Sequence, residues 1–324
     1  MASTVSYDVV GLREHLTSFL STVSPEETPM TSGLPKVMSQ KNPLMEWQTD
    51  DNEEVNFDGV VEGTDQKTFD DKAKNRVRLG NRYQELRRPY MVSNIHQNMD
   101  DVAGVPNEKS RAQSKSLVEL KRDFESCIGS DQEVQAGSGA SPSLLRALGK
   151  WIDSGNTNID SSIRTPGGNI GTTSGLTESG FNDVLQNTYE QSGIVSSYRL
   201  YANTNLQRAI SNFTRAEGTT TPTPFIVNSD QSSKEIIFSV QFYRGDFANV
   251  QVISDIFVGR SSDTALATAA KDRGYLITPE AVQISMTAAP SIFENTDEGG
   301  GPRGFAKVVA TLVCRNPKHL GKFV

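Results

Sequence analysis

The longest periodic pattern in the chain lies between Pro106 and Ile128, where apolar residues recur at spacings of three and four. This spacing places them on one face of an α-helix, and Gly129 follows as a stop signal. The pattern therefore predicts a long amphipathic helix, whose apolar face carries Leu117, Leu120, Phe124, Cys127 and Ile128. The other face, predicted to meet solvent or a polar neighbour, carries Glu108, Lys109, Arg111, Lys115, Glu119, Arg122 and Glu125.

The block that follows the long helix combines helical and strand patterns. Three helices are predicted: one over 141–155 that Ser141 caps and Pro142 opens, one that begins at Thr177 and ends at Gly193, and one over 206–213. Alternating apolar residues at 236–242 and 250–258 predict two strands with a turn at 244–246. We therefore expect an α+β block.

The two ends of the chain differ from this block. Alternation at 282–288 and 305–313 predicts a final β-hairpin joined by the Gly-rich residues 295–304. Residues 46–93 predict a long, open β-hairpin with strands at about 56–62 and 74–92, and the polar, proline-interrupted first 41 residues predict an extended arm. Because the open hairpin and the long helix are too thin to bury each other, we expect the helix to pack on the final hairpin.

Two groups of opposite charge lie in the first hairpin. Four basic residues stand at every second position, an arrangement that puts them on one face of a strand: Lys72, Lys74, Arg76 and Arg78. An acidic group precedes them: Asp50, Asp51, Glu53 and Glu54. Two interpretations stay open, namely a solvated face with incidental counter-charges, or opposite patches that meet across a subunit boundary.

Composition supports a chain that finds partners on other chains. Only 35% of the 324 residues are hydrophobic, which is lean for one large core. The net charge of −7 argues against broad phosphate binding, although such a surface could lie beside DNA without binding its sequence. No apolar run is long enough for a membrane span, and no secretory signal is visible, so we expect a soluble chain made in the cytoplasm.

The residues that usually carry chemistry are scattered. His15, His96 and His319 lie in three different blocks without a second ligand at metal-binding spacing, and Cys127 and Cys314 stand alone. No nucleophile elbow or complete phosphate-binding loop is present. We therefore expect no catalytic, metal or cofactor site and a protein that is not an enzyme.

Six segments, in order, resemble the major capsid proteins of tailed bacteriophages. They are TPMTSGLPK at 28–36, EWQTD at 46–50, LGNRYQELRRPYMVS at 79–93, VELKRDFES at 118–126, LTESGFNDVLQNTYEQSG at 176–193 and CRNPKHLGK at 314–322. The resemblance implies the capsid fold shared by tailed phages and herpesviruses. It divides the chain into an N-terminal arm (1–45), an extended loop (46–90), a peripheral domain with a long spine helix and a β-sheet (91–131 and 274–324), and an axial α+β domain (132–273).

The same resemblance implies a structural role in the virion. Subunits of this family form hexamers and pentamers of an icosahedral head around packaged double-stranded DNA, and their extended loops lie over neighbouring subunits. That gives the two charged groups a use as intersubunit contacts. No built-in scaffold of coiled-coil type is visible, so a separate scaffolding protein is expected, with portal and decoration proteins as further partners.

Two alternatives remain at this point. An encapsulin-type nanocompartment shell would keep the fold and enclose cargo enzymes instead of a genome. A soluble enzyme or binding module would be a different class of protein, for which no catalytic constellation or aromatic platform is visible in the sequence.

Overall fold

The computed structural model describes residues 27–39, 41–53, 55–67, 69–72, 74–97, 107–193, 196–213, 241–259 and 270–324. The α-helices in these ranges are α1 (Pro29–Gly33), α2 (Asn94–Gln97), α3 (Glu108–Ile128), α4 (Leu148–Trp151), α5 (Glu178–Ser192) and α6 (Thr204–Asn212). The strands are β1 (Lys36–Val37), β2 (Leu44–Thr49), β3 (Val77–Arg82), β4 (Gln84–Met91), β5 (Ile170–Gly171), β6 (Ser196–Ala202), β7 (Phe242–Arg244), β8 (Ala248–Ser254), β9 (Gly274–Ile277), β10 (Val282–Asn295), β11 (Arg303–Cys314) and β12 (Gly321–Phe323).

The long helix and the final hairpin form the first layer pair. β10 and β11 make an antiparallel hairpin at the centre of a four-stranded sheet of order β1-β10-β11-β4. Helix α3 contacts β4, β10 and β11, and buries Leu120, Phe124 and Ile128 there. Both the predicted helix and its predicted packing on the final hairpin are confirmed.

A six-stranded sheet of order β5-β12-β9-β6-β8-β7 forms the second unit of the fold. Helix α5 packs on it, and buries Phe181, Val184 and Leu185 in the core that this sheet shares with α6. The side chain of Thr177 caps α5 by accepting a hydrogen bond from the backbone N–H of Gly180, and Gly193 ends the helix at φ +66°. The helix predicted from Thr177 to Gly193 is confirmed as α5, and the helix predicted over 206–213 is confirmed as α6.

The six-stranded sheet contains strands from two of the predicted domains. β9 and β12 belong to residues 274–324, which were assigned to the peripheral domain, but both lie inside the six-stranded sheet. β12 pairs with β5 on one side and β9 on the other. The domain boundaries therefore remain a prediction, and the C-terminal residues serve both sheets.

The helix predicted over 141–155 is wrong for most of its length, because only Leu148–Trp151 is helical. The backbone N–H groups of the residues before Leu148 donate hydrogen bonds to distant parts of the chain and not along a helix. Leu144 pairs with Gln135, the N–H of Leu145 donates to the Gln84 side chain at 3.1 Å, and the N–H of Arg146 donates to the Asn81 side chain at 2.7 Å. Tertiary hydrogen bonds thus replace the first turns of the expected helix.

Two strand predictions also need correction. Residues 56–62 are not a strand among the described residues, since the open hairpin pairs only β2 with β3. The strand predicted at 250–258 ends at Ser254, because the Asp255 side chain accepts a hydrogen bond from the Phe257 N–H and turns the chain. Of the strand predicted at 236–242, residues 236–240 lie outside the described ranges.

Glu125 is an exception to the predicted polar face of α3. Its side chain is fully buried, not exposed to solvent. The periodic pattern identified which residues share a face, but residues 28–34 return over this part of the helix and cover it.

Candidate functional site

The open hairpin brings the predicted charged groups together within one chain. Glu53 contacts two lysines, with Nζ–Oε distances of 2.7 Å to both Lys72 and Lys74. Arg76 lies 3.5 Å from Asp50, and Arg78 forms an ion pair with Glu46. The four basic residues therefore line one side of the hairpin opposite acidic partners. We call these four contacts the charge ladder.

The reason for this arrangement differs from the predicted one. Only Arg78 lies within β3, and Lys72 and Lys74 precede the strand in a turn that the Lys74 N–H closes by donating to the Asp71 carbonyl. Alternation along a strand therefore does not place all four residues. Antiparallel pairing of β2 with β3, from Leu44↔Arg82 to Thr49↔Val77, places Arg78 near Glu46 and brings the two segments that continue from these strands close together.

The remaining acidic residues have different places. Asp51 contacts Lys318 at 3.2 Å and so ties the base of the loop to the C-terminal segment. Glu54 lies outside the described residues. Sequence reasoning left out Glu46 and Lys318 as site residues. The hairpin register could have indicated Glu46, since it lies two residues before Gln48, the residue opposite Arg78.

Electrostatics at the ladder favour the charged states of Glu53 and Lys74. Hydrogen bonds from Lys72 and Lys74 hold the pKa of Glu53 down at about 2. The hydrogen bond to Glu53 in turn raises the pKa of Lys74. Because these groups are exposed to water, the pairs contribute little to the free energy of folding.

Beyond the ladder, the tip of the loop exposes apolar side chains. Five of them are between 74% and 92% exposed: Val55, Phe57, Val60, Val61 and Phe69. The described residues between 50 and 76 form no strand or helix and belong to none of the hydrophobic clusters of the chain. A group of exposed apolar residues on one extension is typical of an interaction surface.

Groups suited to chemistry are buried or dispersed in the described part of the chain. Burial raises the pKa of the Cys127 thiol to about 12 and also raises that of Cys314. Burial lowers the pKa of His319. The described residues contain no cluster of three or more side chains that could hold a metal ion, and none of their helices is long and apolar enough to cross a membrane.

Solved structures of phage capsids share this fold. The capsid structure of cyanophage P-SCSP1u matches with a TM-score of 0.64 at 9% identity, covering 99% of this chain and 94% of that one. The capsid of cyanophage A-1(L) matches with a TM-score of 0.63 at 13% identity, covering 98% and 97%. A structure from Mycobacterium phage Ogopogo matches with a TM-score of 0.61 at 13% identity, covering 100% and 99%. These likenesses establish the fold and confirm the predicted tailed-phage capsid architecture.

The family comparison reaches further than the fold. No curated protein sequence matches the chain significantly. The model of one protein family, described as SU10 major capsid protein, matches residues 2–324. The match covers the arm, the loop, both sheets and the C-terminal strand, so the resemblance seen in six segments extends to the whole chain. The chain belongs to the SU10 major capsid protein family, and its role is that of a structural subunit of a bacteriophage capsid, whose copies assemble into a shell.

Proposed function

We propose that the chain assembles as hexamers and pentamers into an icosahedral head that encloses packaged double-stranded DNA, and that it performs no catalysis. Membership of the capsid family supports the shell, and does not favour a nanocompartment for cargo enzymes. The net charge of −7 is consistent with an inner wall that encloses DNA without sequence-specific binding.

One observation carries the mode of assembly: within the part of the chain that the structure describes, no surface covers the apolar loop tip. Burying a Phe or Val side chain stabilises a contact by about 1.5–3 kcal/mol. Phe57 alone is 92% exposed. A neighbouring subunit that covers the tip would gain this burial at every loop of the shell.

We further propose that the charge ladder serves the same contact. Asp50, Asp51, Glu53 and Glu54 of one subunit would meet Lys72, Lys74, Arg76 and Arg78 of the next. The four basic side chains are more than half exposed, between 51% and 75%, although each already contacts a carboxylate of its own chain. Each therefore retains hydrogen-bond donors for a carboxylate of a neighbour.

The resemblance to tailed-phage capsid proteins implies further partners. A separate scaffolding protein would guide assembly in the host cytoplasm, a portal would admit the DNA, and decoration proteins would bind the outer surface. These partners belong to the proposal.

Negative-stain electron microscopy of the purified chain, with size-exclusion chromatography alongside, tests the assembly. Closed icosahedral shells, or rings of five and six subunits, are expected, with the scaffolding protein added where the chain alone forms only rings. A monomer that persists with the scaffolding protein present would contradict the proposal.

A further inference from the structure

One face of the six-stranded sheet is covered along only part of its width. Tyr201, Tyr275 and Ile277 are buried on this face in the core formed around α3. Beyond them, the face continues over β6, β8 and β7 in two rows of directly paired residues, whose side chains lie on the same side of a sheet. The rows are Arg199, Gln251 and Phe242, and Ser197, Asn249 and Arg244. We call these six residues the open face.

The open face lies away from helix α5. Burial alternates along β8, where Ala248 and Val250 are buried and Asn249 and Gln251 are exposed. The buried residues pack in the core under α5, so the exposed ones lie on the other side of the sheet. Phe242 is 67% exposed there, although it is a large apolar residue. Within the described part of the chain, the open face is therefore a surface that a partner could cover.

Three arginines make this surface basic. Arg199, Arg244 and Arg315 line a groove of about 1190 Å³ over the open face, and Glu280 is the one acidic residue among the described residues that line it. Arg244 and Arg315 are exposed, and neither forms an ion pair with a described acidic residue. Burial lowers the pKa of His319, which also lines the groove, and so favours its neutral ring. The groove therefore carries a net positive charge.

Helix α5, on the opposite side of the sheet, has the complementary charge. Its sequence contains three acidic residues and no basic one: Glu178, Asp183 and Glu190. Asp183 and Glu190 are both exposed, and they lie about two turns apart on the same side of the helix. Neither forms an ion pair with a basic residue in the described ranges. The two sides of one sheet thus present opposite charges.

From this arrangement we propose that the groove over the open face receives α5 of the neighbouring copy in a ring. Arg244 and Arg315 of one chain would meet Asp183 and Glu190 of the next. The inference rests on the proposed assembly into rings and names the surfaces that close them. A ring requires two different, complementary surfaces on each chain, because every copy meets the next head to tail. A basic groove and an acidic helix on opposite sides of one sheet meet this requirement.

A second copy fits the groove better than DNA does. Arginine forms paired hydrogen bonds with carboxylates, and α5 presents its carboxylates on a regular helix. Phe242 would gain burial against a helix, which a phosphate backbone does not offer. The net charge of −7 also opposes the approach of a polyanion to this chain, whereas the groove attracts the one helix face.

Two charge-reversed variants of the full chain test the contact. The groove variant carries Arg244→Glu and Arg315→Glu, and the helix variant carries Asp183→Lys and Glu190→Lys. Like charges that face each other weaken an interface, so each variant alone should need at least about tenfold more protein than the unmodified chain to form rings at low salt. Native mass spectrometry counts the subunits in each ring, and circular dichroism reports folding.

Mixing the two variants makes the test specific. Opposite charges meet only where the variants alternate, so the mixture should form six-membered rings and no five-membered ones. A chain that carries all four changes restores every contact with inverted signs and should form both kinds of ring. The matched control, Arg208→Glu with Lys271→Glu, reverses two exposed cations that do not line the groove, and it should form rings as the unmodified chain does.

Two outcomes would overturn the contact: rings formed by either variant as readily as by the unmodified chain, or a mixture that forms none. If the helix variant assembles and the groove variant instead loses binding to double-stranded DNA, the arginines serve phosphate and not α5. Should one variant fail to fold, the other decides alone. An unmodified chain that forms no rings even with the scaffolding protein overturns the proposed assembly, and this contact with it, which distinguishes that failure from a failure of the contact alone.

Discussion

Leu120 lies fully buried where the long helix meets the four-stranded sheet. Truncation of a buried leucine removes favourable burial and leaves a cavity that the rigid sheet cannot fill. We expect Leu120→Ala to lower the free energy of unfolding by about 2–5 kcal/mol, measured by urea denaturation. Leu117→Ala, on the same helix at a half-buried position, is the matched control and should cost clearly less. Equal losses for the two variants would contradict the described packing.

The sequence correctly predicted which apolar residues of α3 share a buried face, but it wrongly placed Glu125 on the exposed face. Periodicity depends on the geometry of the helix itself, which is why Leu120, Phe124 and Ile128 were identified as a common face. Glu125 was misplaced because its environment is set by Met30 and Thr31, which are distant in the sequence. A buried, hydrogen-bonded carboxylate has the same sequence appearance as an exposed one.

The open hairpin carries the charged residues that were predicted to form intersubunit contacts. Changing Lys72, Lys74, Arg76 and Arg78 to Glu should weaken or block assembly while the subunit stays folded, because the ladder is exposed and carries little folding free energy. Electron microscopy measures assembly, and circular dichroism measures folding. Unchanged particles at low salt would show that these charges make no contact that assembly needs.

A mixing experiment separates contacts within a chain from contacts between chains. A second variant changes Glu46, Asp50, Asp51, Glu53 and Glu54 to Lys. Each variant alone has lost its ladder, but if the charges meet across a subunit boundary, the two variants mixed should assemble into six-membered rings in which they alternate. A chain that carries both sets of changes restores the ladder with inverted signs and serves as the control. Assembly of that chain without assembly of the mixture would place the contacts within one chain.

Element types were easier to predict than element extents. The caps at Thr177 and Gly193 identified α5 because a cap acts within a few residues. The shortened α4 was missed because the N–H groups of Leu145 and Arg146 bind side chains on β3 and β4. Similarly, Glu46 was not predicted as a ladder residue, because its pairing with Arg78 depends on a hairpin register that joins residues 32 positions apart.

For the whole molecule, the pairing of strands that are distant in the sequence could not be predicted from the sequence. β1 pairs in parallel with β10, with Lys36 opposite Ile284, and β12 inserts between β5 and β9. The β1–β10 and β12–β5 pairings join segments more than a hundred residues apart, and no local pattern encodes them. The order of arm, open hairpin, long helix, α+β block and final hairpin was predicted from the residue pattern, and the resemblance to a known capsid family added the fold that joins them.

The loop tip allows the proposed assembly to be separated from folding. Thr49 and Val77 face each other at the end of the β2–β3 pair, so a two-residue Asn-Gly turn could replace residues 50–76. Because the tip belongs to none of the hydrophobic clusters, the shortened chain should fold with a nearly unchanged thermal midpoint. It should nevertheless fail to form shells or rings in electron micrographs, since the surface that a neighbour would cover is gone.

A second variant keeps the loop at full length and asks whether its apolar side chains make the contact. It changes five residues to Ser: Val55, Phe57, Val60, Val61 and Phe69. If burial of these side chains by a neighbour drives assembly, this variant should lose shells as the shortened chain does, because serine gains little from leaving water. If it assembles while the shortened chain does not, the backbone and the charge ladder of the loop make the contact. Shells formed by the shortened chain itself would remove the loop from the assembly mechanism.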